Sequence, residues 1–136
     1  MSRCIQPVNN AMGQISQPRR LVLIVDDEPR IGRILGLKLR LSGYAVISAT
    51  SGTEALELIS TQKPDIMLLD IVMPGMSGFE VLEEIRASSA MPVIVVTVWS
   101  ENIAKAIALG ANDVIIKPFD PDRVLEKINK ALSSNE

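Results

Sequence analysis

Histidine is absent from this chain of 136 residues, and cysteine occurs once, at Cys4. The first absence excludes imidazole-ligated metals and every Ser-His or Cys-His catalytic arrangement; the second excludes an intramolecular disulfide. No apolar stretch approaches the ~20 residues of a membrane span, and Met1 to Arg20 lacks the apolar centre of a secretory signal. A cytoplasmic location without membrane attachment is therefore predicted. An excess of charge is lacking too, since 14 basic residues face 16 acidic ones for a net charge of −2. That balance offers no basic field for nucleic acid, so direct nucleic-acid binding is not expected and partners must be recognised locally. The length suits one domain with a single core. Carboxylates, threonine and lysine are left to carry chemistry.

What is present is an alternation. The segment from Met1 to about Pro18 is rich in Gln, Asn, Ser and Pro and has no sustained periodicity, so residues 1–19 are predicted to form a flexible leader. From Leu21 onward, short apolar runs alternate with helical patterns. Leu21–Val25, Tyr44–Ala49, Ile66–Leu69, Val93–Val96 and Val114–Ile116 read as strands. Arg30–Ser42, Thr53–Thr61, Gly78–Ser88, Glu101–Leu109 and Pro121–Leu132 read as helices. Runs that are apolar throughout belong to strands buried on both faces, and the β-then-α order implies a parallel sheet covered by helices on both sides. The five units make an α/β domain over residues 20–133, with 134–136 as a frayed C-terminus. Boundary chemistry agrees: Asp27 can cap a first helix that has Pro29 in its first turn, Gly43 and Gly110 can end the first and fourth helices, and Asp120-Pro121 can open the last. No internal repeat follows residue 20.

Acids cluster at the strand ends. Asp26 and Asp27 close the first apolar run and Asp70 closes the third, and a doubly wound order 2-1-3-4-5 makes those strands neighbours. Any one of these residues could simply cap a helix or begin a turn. Three carboxylates at one sheet edge repel one another unless a cation or a raised pKa relieves them, and oxygen ligands of this kind suit Mg²⁺. Thr97 and Lys117 follow the fourth and fifth runs, so a hydroxyl and an ammonium reach the same edge. A carboxylate attacking phosphorus needs its own charge and that of the phosphoryl group offset, which a metal and a lysine can do while a hydroxyl donates a hydrogen bond.

Four segments together resemble the receiver domain of two-component response regulators. They are Val25-Asp26-Asp27-Glu28-Pro29, the stretch from Leu68 to Gly78 that contains Asp70, Val95-Val96-Thr97, and the stretch from Gly110 to Phe119 that contains Lys117-Pro118. The resemblance covers roughly residues 20 to 133 and implies a flavodoxin-like (βα)5 three-layer sandwich with sheet order 2-1-3-4-5. It implies that Asp70 becomes a 4-aspartylphosphate, with a histidine kinase or histidine phosphotransfer protein as donor. Asp27, Asp70 and the Val72 carbonyl would ligate Mg²⁺ directly, with Asp26 acting mainly through metal-bound water. Thr97 and Lys117 would each take a phosphoryl oxygen, and the Lys117-Pro118 bond would be cis. Such a domain is a switch that phosphorylates and dephosphorylates itself, with no separate substrate turned over. Its output is altered binding to an effector whose identity the sequence does not give.

Departures from the family pattern carry expectations of their own. Val114 stands where the family usually has a switch aromatic, so a signal must travel through the Thr97–Trp99 loop and the fourth helix. A second reading, a degenerate receiver that binds partners without phosphorylation, draws on the same valine. Val98 narrows access to the phosphoryl group, and Val72 and Trp99 flank the route of attacking water. The first helix has a wide apolar stripe (Ile31, Ile34, Leu35, Leu37, Leu39, Leu41), a candidate face for the histidine-bearing partner. The exposed side of the fourth is a candidate homodimer or effector surface.

Overall fold

The computed structural model describes residues 19–133. The expected leader, apart from Arg19, and the expected frayed end at 134–136 lie outside the described residues. Five strands alternate with five helices: β1 (Leu21–Val25), α1 (Pro29–Leu41), β2 (Ala45–Ala49), α2 (Gly52–Gln62), β3 (Ile66–Asp70), α3 (Gly78–Arg86), β4 (Val93–Thr97), α4 (Asn102–Ala108), β5 (Asp113–Ile116) and α5 (Pro121–Ser133). All pairings are parallel, in the order β2-β1-β3-β4-β5. This is the parallel sheet the alternation predicts, in the flavodoxin-like order the resemblance implies.

Side chains alternate across a strand, so each apolar run feeds two cores. Leu23, Val25, Met67, Leu69, Val93 and Val95 point to one face and pack with Ala55, Val81, Leu82, Ile85 and Ala106 of α2, α3 and α4. Val22, Ile24, Ile66, Leu68, Ile94 and Val96 point to the other, against Leu35 and Leu39 of α1 and Val124, Ile128 and Leu132 of α5. The three central strands are buried at every position, whereas the edge strands β2 and β5 are not. Burial of a Leu, Ile or Val side chain contributes about 1.5–3 kcal/mol, which fixes these runs in the interior and leaves the polar residues after them at the rim.

Register then sets the strand ends level. Val25 pairs with Leu69, Asp70 with Val96, and Thr97 with Ile116. Residues at the ends of four neighbouring strands therefore open onto one edge.

Element ends shift by one or two residues from expectation, and the cap of α1 differs in kind. The N-cap of α1 is Glu28, without a side-chain cap bond, so Asp27 does not cap this helix. Pro29 has no N–H to satisfy and its fixed φ starts the helix unaided, which leaves the preceding carboxylates for other work. Gly43 and Gly110 take positive φ as expected, and the Asp120 carboxylate accepts from the Asp122 N–H at 2.9 Å to open α5. A capping box between Ser77 and Glu80 starts α3.

Candidate functional site

The ends of β1 and β3 bring Asp26, Asp27 and Asp70 together, with one carboxylate oxygen from each lying within 4.8 Å of the others. Asp26 and Asp70 are buried, and Asp27 faces solvent. Asp26 is held by the Glu28 N–H, which donates to Oδ1 at 2.8 Å, and Asp70 by the Val72 N–H, which donates to Oδ1 at 3.2 Å. Lys117, after β5, reaches back across β4 and β3. Its Nζ lies 3.0 Å from Asp26 Oδ2 and 3.5 Å from Asp70 Oδ2. The Lys117 N–H donates to the Thr97 carbonyl at 2.8 Å, and the Lys117-Pro118 bond is cis.

Gly78 belongs to the site by its lack of a side chain. A Cβ there would sit 2.3 Å from the Asp70 carbonyl oxygen and 2.7 Å from Ile71 Cα. The N-terminus of α3 can thus lie directly against the segment bearing Asp70, and the Gly78 N–H donates to the Ile71 carbonyl at 2.9 Å.

Thr97 is buried, and its Oγ1 accepts from the Trp99 N–H at 3.2 Å and from Asn102 Nδ2 at 3.0 Å. The sequence reading missed Asn102. An asparagine five residues past Thr97, at the start of an Ala-rich segment, is the kind of residue that bonds to nearby groups at a helix start, and that signal could have singled it out. Val72, Val98 and Trp99 are more than half exposed, an apolar fringe at the mouth of an acidic site. Val114 is half-buried and packs against the core shared by α2, α3 and α4.

Burial raises the pKa of Asp70 above the ordinary carboxylate value. Lys117 opposes this, while Asp26 and Asp27 reinforce it. For Lys117, burial disfavours the charge, yet the hydrogen bond to Asp26 and the charges of Asp70 and Asp26 outweigh it and leave the pKa raised. A desolvated carboxylate beside two like charges is the environment a hard cation relieves. The oxygen-only donor set fits Mg²⁺ by that chemistry, and the carboxylates brought together to hold it are those of Asp26, Asp27 and Asp70.

Comparisons with known proteins agree with this fold and identify its family. Residues 22–129 match the family model of the response regulator receiver domain. The chain is 39% identical over 123 residues to the probable transcriptional regulator ycf27 of Porphyridium aerugineum, covering 84% of this chain and 51% of that protein. It is 41% identical over 113 residues to that of Cyanidium caldarium, covering 82% and 45%. The chain thus spans about half the length of the curated relatives it matches. Among solved structures, the receiver domain of the Francisella response regulator 1452 aligns with a TM-score of 0.82 at 28% identity, covering 87% of this chain and 100% of that one. The response regulator protein TrrA from Thermotoga maritima, in complex with Mg²⁺-BeF, aligns with a TM-score of 0.77 at 36% identity, covering 83% and 99%.

Proposed function

The chain belongs to the response regulator receiver domain family, and from that premise we propose that Asp70 accepts a phosphoryl group in the presence of Mg²⁺ and that phosphorylation switches binding to an effector. The supporting observation is the convergence of three carboxylates within 4.8 Å, with the Lys117 ammonium 3.5 Å from Asp70.

Each residue has a role in this reading. Ionised Asp70 has no proton to lose, so it attacks phosphorus without a general base. An O–P bond forms as the P–N bond of a phosphohistidine breaks, and the departing imidazole keeps the electron pair. This chain has no histidine, so the donor belongs to a partner, a histidine kinase or histidine phosphotransfer protein. Asp27, Asp70 and the Val72 carbonyl would hold Mg²⁺ directly and Asp26 mainly through metal-bound water, and the cation would supply positive charge that offsets the phosphoryl oxygens. Lys117, now shared between Asp26 and Asp70, turns to one phosphoryl oxygen, and the Thr97 O–H donates to another. Exposed Ile34, Leu37 and Leu41 on α1 form an apolar face on which the histidine-bearing partner docks. Among the described residues no helix is long and apolar enough to cross a membrane, which is compatible with action in the cytoplasm.

Intact-mass measurement after incubation with acetyl phosphate and Mg²⁺ tests the proposal. The gain of one phosphoryl group is expected, lost in Asp70→Asn and in EDTA. Full yield under either condition would remove Asp70 or the metal from the mechanism. A module working without phosphorylation is disfavoured, because it has no use for a buried acid pair held against a lysine.

A further inference from the structure

We propose that Asn102 is a positioning residue that holds the Thr97 hydroxyl in the unphosphorylated state and releases it when a phosphoryl group arrives. The inference rests on the reading of Thr97 as a phosphoryl ligand and extends it to a residue outside the site. A hydroxyl has two acceptor positions and one O–H to donate. Both acceptor positions of Thr97 Oγ1 are engaged, by the Trp99 N–H at 3.2 Å and by Asn102 Nδ2 at 3.0 Å. A hydroxyl so gripped has its orientation set from the α4 side. The O–H remains free to donate, and a shift of the hydroxyl towards an oxygen on Asp70 would stretch or break the bond from Asn102.

Asn102 is the first residue of α4, which makes the bond a tie between strand and helix. Apart from this bond, the start of the helix is held by two backbone turns, from the Asn102 N–H to the Trp99 carbonyl and from the Ile103 N–H to the Ser100 carbonyl, both at 3.1 Å. Its N-cap, Glu101, makes no side-chain cap bond, its buried residue Ala106 sits in the second half, and Ile103 and Ile107 are exposed. Losing the Asn102 bond therefore removes the side-chain tie of the first turn of α4 to β4 and leaves only those backbone turns to hold it. Phosphorylation at Asp70 and order at the start of α4 become opposed, which gives this chain a route from site to surface that bypasses Val114.

Beryllofluoride with Mg²⁺, a phosphoryl mimic, provides the test, applied to the whole chain and to Asn102→Ala, Asn102→Leu and Thr97→Ala. Asn102→Leu keeps the side-chain size and removes the donor, which separates packing from hydrogen bonding. In the wild type, amide hydrogen exchange at Ile103 to Ala106 should quicken on adding the mimic. In both Asn102 variants exchange there should already be fast without metal and change little on binding. Because no bond has to be broken, those variants should bind the mimic more tightly, about 3- to 10-fold, the range a single hydrogen bond spans. In a Thr97→Ala background the gain should vanish, which a merely structural role for Asn102 would not produce. Unchanged or weaker binding in the Asn102 variants, or an equal gain without Thr97, would overturn the proposal while leaving Asp70 as phosphoacceptor. If the wild type binds no more mimic than Asp70→Asn does, the phosphoacceptor reading falls and this proposal with it.

Discussion

Asp70 meets opposing demands. It must stay ionised to attack phosphorus, yet burial and the charges of Asp26 and Asp27 favour its protonated form more than Lys117 favours the carboxylate. A folded-state pKa above the unfolded one means that the folded protein binds the proton more tightly. Its unfavourable contribution therefore appears as pH rises through the ordinary carboxylate range and is complete above the raised value. Asp70→Asn should consequently melt at a higher temperature than the wild type in EDTA at neutral pH, with the gap closing on acidification. A lower melting temperature for the variant under those conditions would show that Lys117 dominates the site. Lys117 works in the opposite sense: its raised pKa stabilises the fold below the ordinary lysine value, and that support is lost as pH rises through the folded-state value. The apolar fringe supplies a second residue-scale prediction. Val72 and Trp99 are exposed beside the site, and with Asp70 as phosphoacceptor they would hinder the approach of in-line water. Replacing Val72 by Asn and Trp99 by Ala together should speed loss of the phosphoryl group by about 10-fold, or about 1.4 kcal/mol in the barrier, as followed by mass spectrometry over time.

Two elements place the reactive carboxylate. The β3 strand carries Asp70 to the sheet edge, and α3 returns so closely that Gly78 touches the Asp70 carbonyl. A methyl group at Gly78 has to push apart backbone rather than a flexible side chain. Gly78→Ala should therefore destabilise the fold by about 1–3 kcal/mol in urea titration, and it should slow phosphorylation of the protein that remains folded. Wild-type stability would mean that α3 moves away at little cost. The capping box of Ser77 and Glu80 explains why α3 begins at this point: it satisfies the first-turn donors just where the chain leaves the site. At the other side, α4 is the short helix with a single hydrogen-bonded link to Thr97 described above, a suitable element to yield when the site changes.

At the scale of the molecule, binding at one end of the sheet is linked to the stability of the whole. A cation that binds the folded form alone stabilises it by about 2.7 kcal/mol at a hundredfold excess over Kd. Thermal melts over a Mg²⁺ titration should rise steadily in the wild type, and much less in Asp27→Asn, which retains the buried pair but loses the exposed carboxylate. Equal shifts in the two proteins would place the cation elsewhere. Because Asp26 and Asp70 are already partly neutralised by Lys117, the metal has to compete with that lysine. Affinity should accordingly rise in Lys117→Ala even as phosphoryl transfer is lost.

The sequence by itself determined the architecture and the identity of the acids, the hydroxyl and the lysine at the sheet edge. Uniformly apolar runs such as Ile66–Leu69 have one favourable position, a strand covered on both faces, and the residues ending them must emerge together at one edge. The boundary reading at Asp27 failed because capping is decided by where the chain turns, and Pro29 starts α1 without help. Only the tertiary structure decided that Lys117 bridges Asp26 and Asp70, that Gly78 is pressed against the Asp70 backbone, and that Asn102 grips Thr97. Each of these contacts joins separate elements at distances set by strand register and helix approach. Periodicity along a chain records which face a residue takes, but not which side chain from another element meets it there.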